Sequence, residues 1–66
     1  MNLQENDDTI ALLREANSYI SDAIAKIRDG VLTPAMDDLG QAIEAVKNAL
    51  EIVSFSVEQE ENNNGA

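Results

Sequence analysis

The chain contains neither cysteine nor histidine, and these two absences narrow its chemistry. Without cysteine, no disulfide can hold the fold together. Without either residue, the usual structural zinc sites cannot form, and no serine can be activated by an imidazole. No glycine-rich phosphate loop or dinucleotide motif occurs either. We therefore expect no catalytic residue, no metal site and no cofactor, and a protein that is not an enzyme.

Basic residues are scarce as well. Four lysines and arginines stand against thirteen acidic residues, for a formal charge of −9 at neutral pH. Nucleic-acid phosphates and anionic membrane surfaces would repel such a chain. Direct nucleic-acid binding, which would depend on Arg14, Arg28 and Lys47, is not expected. Because the sequence has neither an apolar run of about 20 residues nor a signal-peptide pattern, we expect a cytoplasmic protein that does not contact a membrane.

Residues that break helices are few, and two of them lie together in the stretch RDGVLTP, residues 28–34. Asp29-Gly30 is typical of a helix C-terminus, and Thr33-Pro34 is typical of a helix start. Asp7 and Asp8 are the predicted cap of the first helix. The predicted segments are a flexible N-terminus at 1–7, a helix at about 8–29, a turn at 30–33, a second helix at about 34–60 and a disordered tail at 61–66. Since the turn is short, the sequence predicts an all-α fold, an antiparallel two-helix hairpin.

Large apolar residues recur at alternating spacings of three and four in both predicted helices. This spacing is that of a coiled-coil seam, and we expect these side chains to pack against each other within the hairpin. They are Ile10, Leu13, Ile20, Ile24 and Ile27 in the first helix, and Met36, Leu39, Ile43, Val46, Leu50, Val53 and Val57 in the second. Asn17 interrupts the series. A buried asparagine there would fix the register and the oligomeric state at some cost in stability; the alternative is a partly exposed residue at the edge.

A second apolar series, richer in alanine, is predicted to lie on one outer side of the hairpin. Its members are Leu12, Ala16, Tyr19, Ala23, Ala42, Ala45, Ala49 and Ile52, with Phe55 beside them. Exposed apolar patches mark protein-binding sites, and small domains without disulfides often gain burial by oligomerising. We therefore expect a homodimeric four-helix bundle joined through this series. The alternative is that alanine is present only as a good helix former.

Acidic residues repeat every seven positions along both helices. The two rows are Asp8, Glu15, Asp22 and Asp29, and Asp37, Glu44, Glu51 and Glu58. On the solvent-facing back of the hairpin they would steer the protein towards a basic surface. The alternative is that they only keep the protein dispersed. Lys26 is predicted to form an ion pair with Asp22, four residues before it.

These patterns predict a small acidic protein-binding module. The leading interpretation is a regulator or inhibitor that occupies the surface of a partner protein, such as a basic nucleic-acid-binding surface, as phage-encoded inhibitors of host defence systems do. The alternative is a co-chaperone or scaffold whose apolar face binds a helix of a client subunit. In outline the plan resembles that of short acidic hairpins that serve as secretion co-chaperones, although no motif is shared. The identity of the partner is not readable from the sequence.

Overall fold

The chain forms two long helices joined by a tight turn in a computed structural model that describes residues 2–64, with side chains described for residues 2–61. The first helix, α1, spans Leu3–Arg28, and the second, α2, spans Leu32–Asn64. They pack side by side as a hairpin about 55 Å long, 18 Å wide and 12 Å thick. The predicted all-α helical hairpin is confirmed.

The first helix begins earlier than predicted. The side chain of Asn2 accepts a hydrogen bond of 2.8 Å from the backbone N–H of Glu5, which is the geometry of a helix N-cap. Asp7 and Asp8, the predicted cap, therefore lie inside α1, and the segment predicted to be flexible is helical from Leu3 onwards. At the other end, α2 continues through residues 61–64 of the predicted disordered tail. Met1 and residues 65–66 lie outside the described part of the chain.

The turn confirms the predicted helix stop at Gly30. Asp29 is the C-cap of α1, and Gly30 adopts a positive φ of 74°. The N–H of Gly30 donates to the carbonyl of Ile27 at 3.1 Å, and the N–H of Val31 donates to the carbonyl of Lys26 at 2.8 Å. This pair of bonds is the Schellman motif, which satisfies the last carbonyls of a helix. Since α2 starts at Leu32, Pro34 lies in its first turn, where a missing N–H interrupts no helical bond.

Small side chains fill the contact between the two helices. Six alanines are only 1–5% exposed, and no large side chain among the described residues is fully buried. The buried alanines are Ala16 and Ala23 in α1, and Ala35, Ala42, Ala45 and Ala49 in α2. Tyr19 packs at the edge of the group formed by Ala16, Ala42 and Ala45. Because the distance between packed helices depends on the side chains at their contact, alanines allow the two helices to approach closely.

The two apolar series therefore occupy the opposite positions to those predicted. The large residues, expected to form the seam within the hairpin, are 39–67% exposed, whereas the alanine-rich series forms the contact. Both series run along each helix with the same spacing, one residue apart, so spacing alone does not distinguish the stripe that faces the neighbouring helix. We refer to the exposed series as the apolar face; it consists of Asn17 and the twelve large residues Ile10, Leu13, Ile20, Ile24, Ile27, Met36, Leu39, Ile43, Val46, Leu50, Val53 and Val57.

Candidate functional site

The apolar face lies on one side of the hairpin because each of its members directly follows a residue of the helix–helix contact. Ile20 follows Tyr19 in α1, and Val46 follows Ala45 in α2. One residue corresponds to about 100° of rotation, and in an antiparallel pair this rotation leads to the same side on both helices. A groove of about 420 Å³ on this side brings the two helices' large residues together. Its lining is Ile20, Leu39, Ala42, Ile43, Val46, Lys47 and Leu50.

Acidic residues occupy the opposite side of the hairpin. Three acids of α1 directly precede contact residues. Three acids of α2 each lie between a residue of the apolar face and a contact residue, on the outer back of α2, and Glu51 borders the same depression as Asp8. We call these six exposed residues the acidic face; they are Asp8, Glu15, Asp22, Asp37, Glu44 and Glu51. A depression of about 490 Å³ at the open end of the hairpin joins both helices on this side. It is lined by Glu5, Asp8, Asn48, Glu51, Ile52 and Phe55.

The two predicted acidic rows thus share one side of the molecule. Asp29 and Glu58 belong to the same seven-residue repeats, but Asp29 is the C-cap of α1, and Glu58 lies further along α2 than the depression. The basic residues Arg14, Arg28 and Lys47 each directly follow a member of the apolar face. They are exposed at the outer margins of that face. Lys47 also lies three residues after Glu44 and four before Glu51, the spacings at which side chains are neighbours on a helix.

The residues predicted to join two copies hold the two helices of one chain together instead. Eight of them are buried or half-buried along the contact: Leu12, Ala16, Tyr19, Ala23, Ala42, Ala45, Ala49 and Ile52. Phe55 differs, since it is 57% exposed and lines the depression on the acidic side. The predicted outer dimer surface is therefore wrong, because eight of its nine residues form the contact between the two helices of one chain. Small residues at seven-residue intervals, Thr9, Ala16 and Ala23 in α1 and Ala35, Ala42, Ala49 and Ser56 in α2, were the signal that could have identified it.

The ion pair of Lys26 also differs from the prediction. Its ammonium group lies 2.6 Å from Oδ2 of Asp38 on the other helix, rather than pairing with Asp22. The hydrogen bond to Asp38 raises the pKa of Lys26 above its usual 10.5; desolvation opposes this, and the nearby charges of Asp38, Asp22 and Asp37 support it. The Lys26 side chain is 37% exposed and that of Asp38 is 13% exposed. The carboxylate of Asp38 thus lies in the helix contact and has its counter-ion on α1.

Two hydroxyl groups line the contact near the open end. Thr9 donates a hydrogen bond of 2.7 Å from Oγ1 to the carbonyl of Glu5, so its buried hydroxyl is satisfied. The buried Oγ of Ser56 has no hydrogen-bond partner among the described residues. A small polar side chain at each of these positions continues the narrow contact that the alanines form along the rest of the hairpin.

The chain has no detected similarity to known proteins. The chain matches no model of a known protein family, no curated protein and no solved structure. Within residues 2–61, no three or more acidic side chains are grouped in a way that could hold a metal ion. Over its described residues, neither helix combines the length and the apolar character needed to cross a membrane. The apolar face, with its groove, and the acidic face, with its depression, are the candidate functional sites.

Proposed function

We propose that the protein is a small non-catalytic protein-binding module, in which the apolar face joins two copies into a four-helix bundle and the acidic face binds a partner. The partner is a protein with a basic surface, and the module acts as its regulator or inhibitor by occupying that surface. The observation that supports this proposal is the separation of the large apolar residues and the acidic residues onto opposite sides of one hairpin.

The apolar face is large enough and apolar enough to serve as an interface with another molecule. From Met36 to Val57 it extends about 32 Å at 1.5 Å per residue, and the hairpin is 18 Å wide. Its extent is comparable to the largest patches on monomers, about 300–600 Å², and to the roughly 800 Å² that each partner buries in a stable complex. Full burial of a large apolar side chain is worth about 1.5–3 kcal/mol relative to full exposure, and those of the apolar face are still 39–67% exposed, so about half of this gain remains for each. Much of the apolar burial available to this chain is therefore still to be made against another molecule.

A second copy is the occupant that fits the apolar face best. Asn17 is the single polar member of the face, and no acid belongs to it. The carboxylates of the acidic face point away from it, so two copies can meet there without bringing those charges together. Four helices around a core of isoleucine, leucine and valine form a standard bundle. The pairing also explains how a chain with a formal charge of −9 can associate with itself.

In such a bundle the two acidic faces remain outside. Each presents carboxylates from two helices, and a field of one sign speeds association with a surface of the opposite sign. A groove that binds nucleic acid is a surface of that kind, because lysine and arginine neutralise the phosphates there. Phe55, exposed beside Glu51 and Asp8, adds an apolar contact at one end of the acidic face.

Self-association is tested by sedimentation of two matched variants at micromolar concentration. Ile43→Glu places a charge on the apolar face at a side chain that is 67% exposed in the hairpin, so the hairpin tolerates it whereas the bundle does not. Gln41→Glu adds the same charge at an exposed position on the acidic side. We expect the wild type and Gln41→Glu to sediment as dimers and Ile43→Glu as a monomer. A monomeric wild type, or a dimeric Ile43→Glu, would refute assembly through this face.

The role of the acidic face is tested by capture of the partner from the native host over a range of salt concentrations. The variant Glu15→Gln, Glu44→Gln and Glu51→Gln neutralises three residues of the acidic face. A control with Asp7→Asn, Glu60→Gln and Glu61→Gln removes the same charge elsewhere. We expect a partner that is retained by the wild type and the control, is lost with the first variant and dissociates as salt is raised. Equal retention by both variants would contradict a role of the acidic face.

The groove on the apolar face favours one alternative, a co-chaperone or scaffold that binds a helix of a client subunit. A single amphipathic helix could place its apolar residues against Ile20, Ile43 and Leu50, which line that groove. This function predicts the opposite result in the capture experiment. Client binding would survive neutralisation of the acidic face and would be lost in Ile43→Glu.

A further inference from the structure

The position of Asn17 on the apolar face limits how two copies can be oriented. This inference rests on the self-association proposed above. In α1 the large residues of the face extend from Ile10 to Ile27. The midpoint of this row lies between residues 18 and 19, so Asn17 is about 2 Å from it along the helix axis. The single polar residue of the face therefore lies almost at the centre of its row.

The row on α2 belongs to the same surface and extends further towards the open end of the hairpin. It runs from Met36 to Val57, with its midpoint beside Val46. Ala16 of α1 packs with Ala42 and Ala45 of α2, so Asn17 is level with the part of the α2 row just before Val46. A two-fold axis that crosses the apolar face at Asn17 would bring most of each row against its counterpart in a second copy.

Two hairpins can stack their apolar faces with two-fold symmetry in two ways. If both turns lie at the same end, α1 packs beside α2 of the second copy, and the two Asn17 residues lie on helices that are diagonal in the bundle. If the turns lie at opposite ends, α1 packs antiparallel to α1 of the second copy, and the two Asn17 residues meet near the axis. A buried amide without a partner loses the hydrogen bonds that it makes to water, whereas two facing amides can donate and accept hydrogen bonds with each other.

We infer that the two copies pack with their turns at opposite ends, with α1 against α1 and with the two Asn17 side chains hydrogen-bonded to each other at the centre of the interface. Asn17 is then the residue that selects this arrangement over the one with both turns at the same end. A single polar residue at a core position is a known means of fixing register and orientation in helical assemblies.

Disulfide cross-linking tests the orientation directly, because the chain has no cysteine of its own. A disulfide needs Cβ atoms about 3.5–4.5 Å apart, so it reports neighbouring positions only. The cysteine pairs must leave Asn17 in place. If the two Asn17 residues face each other, positions 10 and 24, each seven residues from Asn17, face each other as well. We expect an equimolar mixture of Ile10→Cys and Ile24→Cys to form the mixed dimer on mild oxidation, while neither forms a dimer alone. In the control mixture Ala25→Cys, one residue after Ile24 on the other side of α1, replaces Ile24→Cys, and the proteins stay monomeric on a denaturing gel.

The arrangement with both turns at the same end predicts a different pattern. Ile10→Cys would then link to Leu50→Cys in a mixture, because Asp8 of α1 lies beside Glu51 of α2, and Ile10→Cys would not link to Ile24→Cys. That pattern, in a protein that sediments as a dimer under reducing conditions, would overturn the inferred orientation and leave self-association intact. A wild type that sediments as a monomer would instead refute the self-association on which this inference rests.

Discussion

The ammonium group of Lys26 lies 2.6 Å from a carboxylate oxygen of Asp38, and this ion pair joins α1 to α2 beside the turn. The pair crosses the helix contact, so the partner of Lys26 is twelve residues away in the sequence rather than four. Asp38 is the less exposed partner. Removal of the lysine would leave a carboxylate in the contact without its counter-ion, which is the costly way to break such a pair.

The first prediction concerns the pH dependence of this pair. Because the folded state raises the pKa of Lys26 above 10.5, its contribution is complete below the unfolded value and is lost as the pH rises through the folded value. We expect Lys26→Met to lower the free energy of unfolding at neutral pH, and the difference from the wild type to shrink above pH 10.5. Urea unfolding at a series of pH values measures it. Lys47→Met, at the margin of the apolar face, is the control for the loss of a lysine that joins no ion pair between the helices among the described residues.

The second prediction concerns the narrow contact between the helices. Ala45→Leu adds bulk where a side chain is 5% exposed, and overpacking of this kind costs about 1–3 kcal/mol. Ala25→Leu makes the same change at an exposed position of α1, where we expect an effect within about 0.5 kcal/mol. Alanine and leucine have similar helix propensities, so the comparison isolates packing. Chemical denaturation measures both variants, and equal effects would show that the helices are not in close contact at Ala45.

The third prediction uses the two described glycines, which should respond in opposite directions to alanine. Gly30→Ala should lower stability by about 1–2 kcal/mol because a side chain is strained at its positive φ of 74°. Gly40→Ala should raise stability by up to about 1 kcal/mol, since Gly40 lies inside α2 and an added Cβ meets no atom within 4 Å. Thermal unfolding measures both variants. A shift of the same sign in the two would contradict the assigned backbone conformations.

The fourth prediction separates the stability of the proposed dimer from its orientation. Asn17→Leu removes the polar residue from the apolar face, so the melting temperature should rise, as it does when a buried polar residue in a helical core is replaced by an apolar one. The same variant should lose the single orientation, and cross-linking in the Asn17→Leu background should then yield both patterns of disulfide. Ser18→Leu, exposed on the other side of α1, is expected to change neither. Retention of one cross-linking pattern in Asn17→Leu would show that Asn17 does not set the orientation.

Local signals in the sequence were sufficient for the two helices, for the turn between them and for the repeats, but not for the outer ends of the helices. The Asp29-Gly30 stop was predicted correctly because glycine tolerates the left-handed conformation that closes a helix. The acidic repeats were visible because seven residues bring a helix back to nearly the same side. The start of α1 was missed because Asn2, an equally good cap, lies upstream of the two aspartates that were chosen.

By itself, the sequence determined that this chain is a helical hairpin with two apolar stripes and one acidic stripe on each helix. Only the tertiary structure decided which apolar stripe faces the other helix. The two stripes have the same spacing and differ by one residue, so periodicity cannot rank them. The structure places alanines in the contact because small side chains let the helices approach closely, and this leaves the large residues on the surface, where another molecule can cover them. The tertiary structure also decided the partner of Lys26, since Asp38 comes within reach only when the two helices pack together.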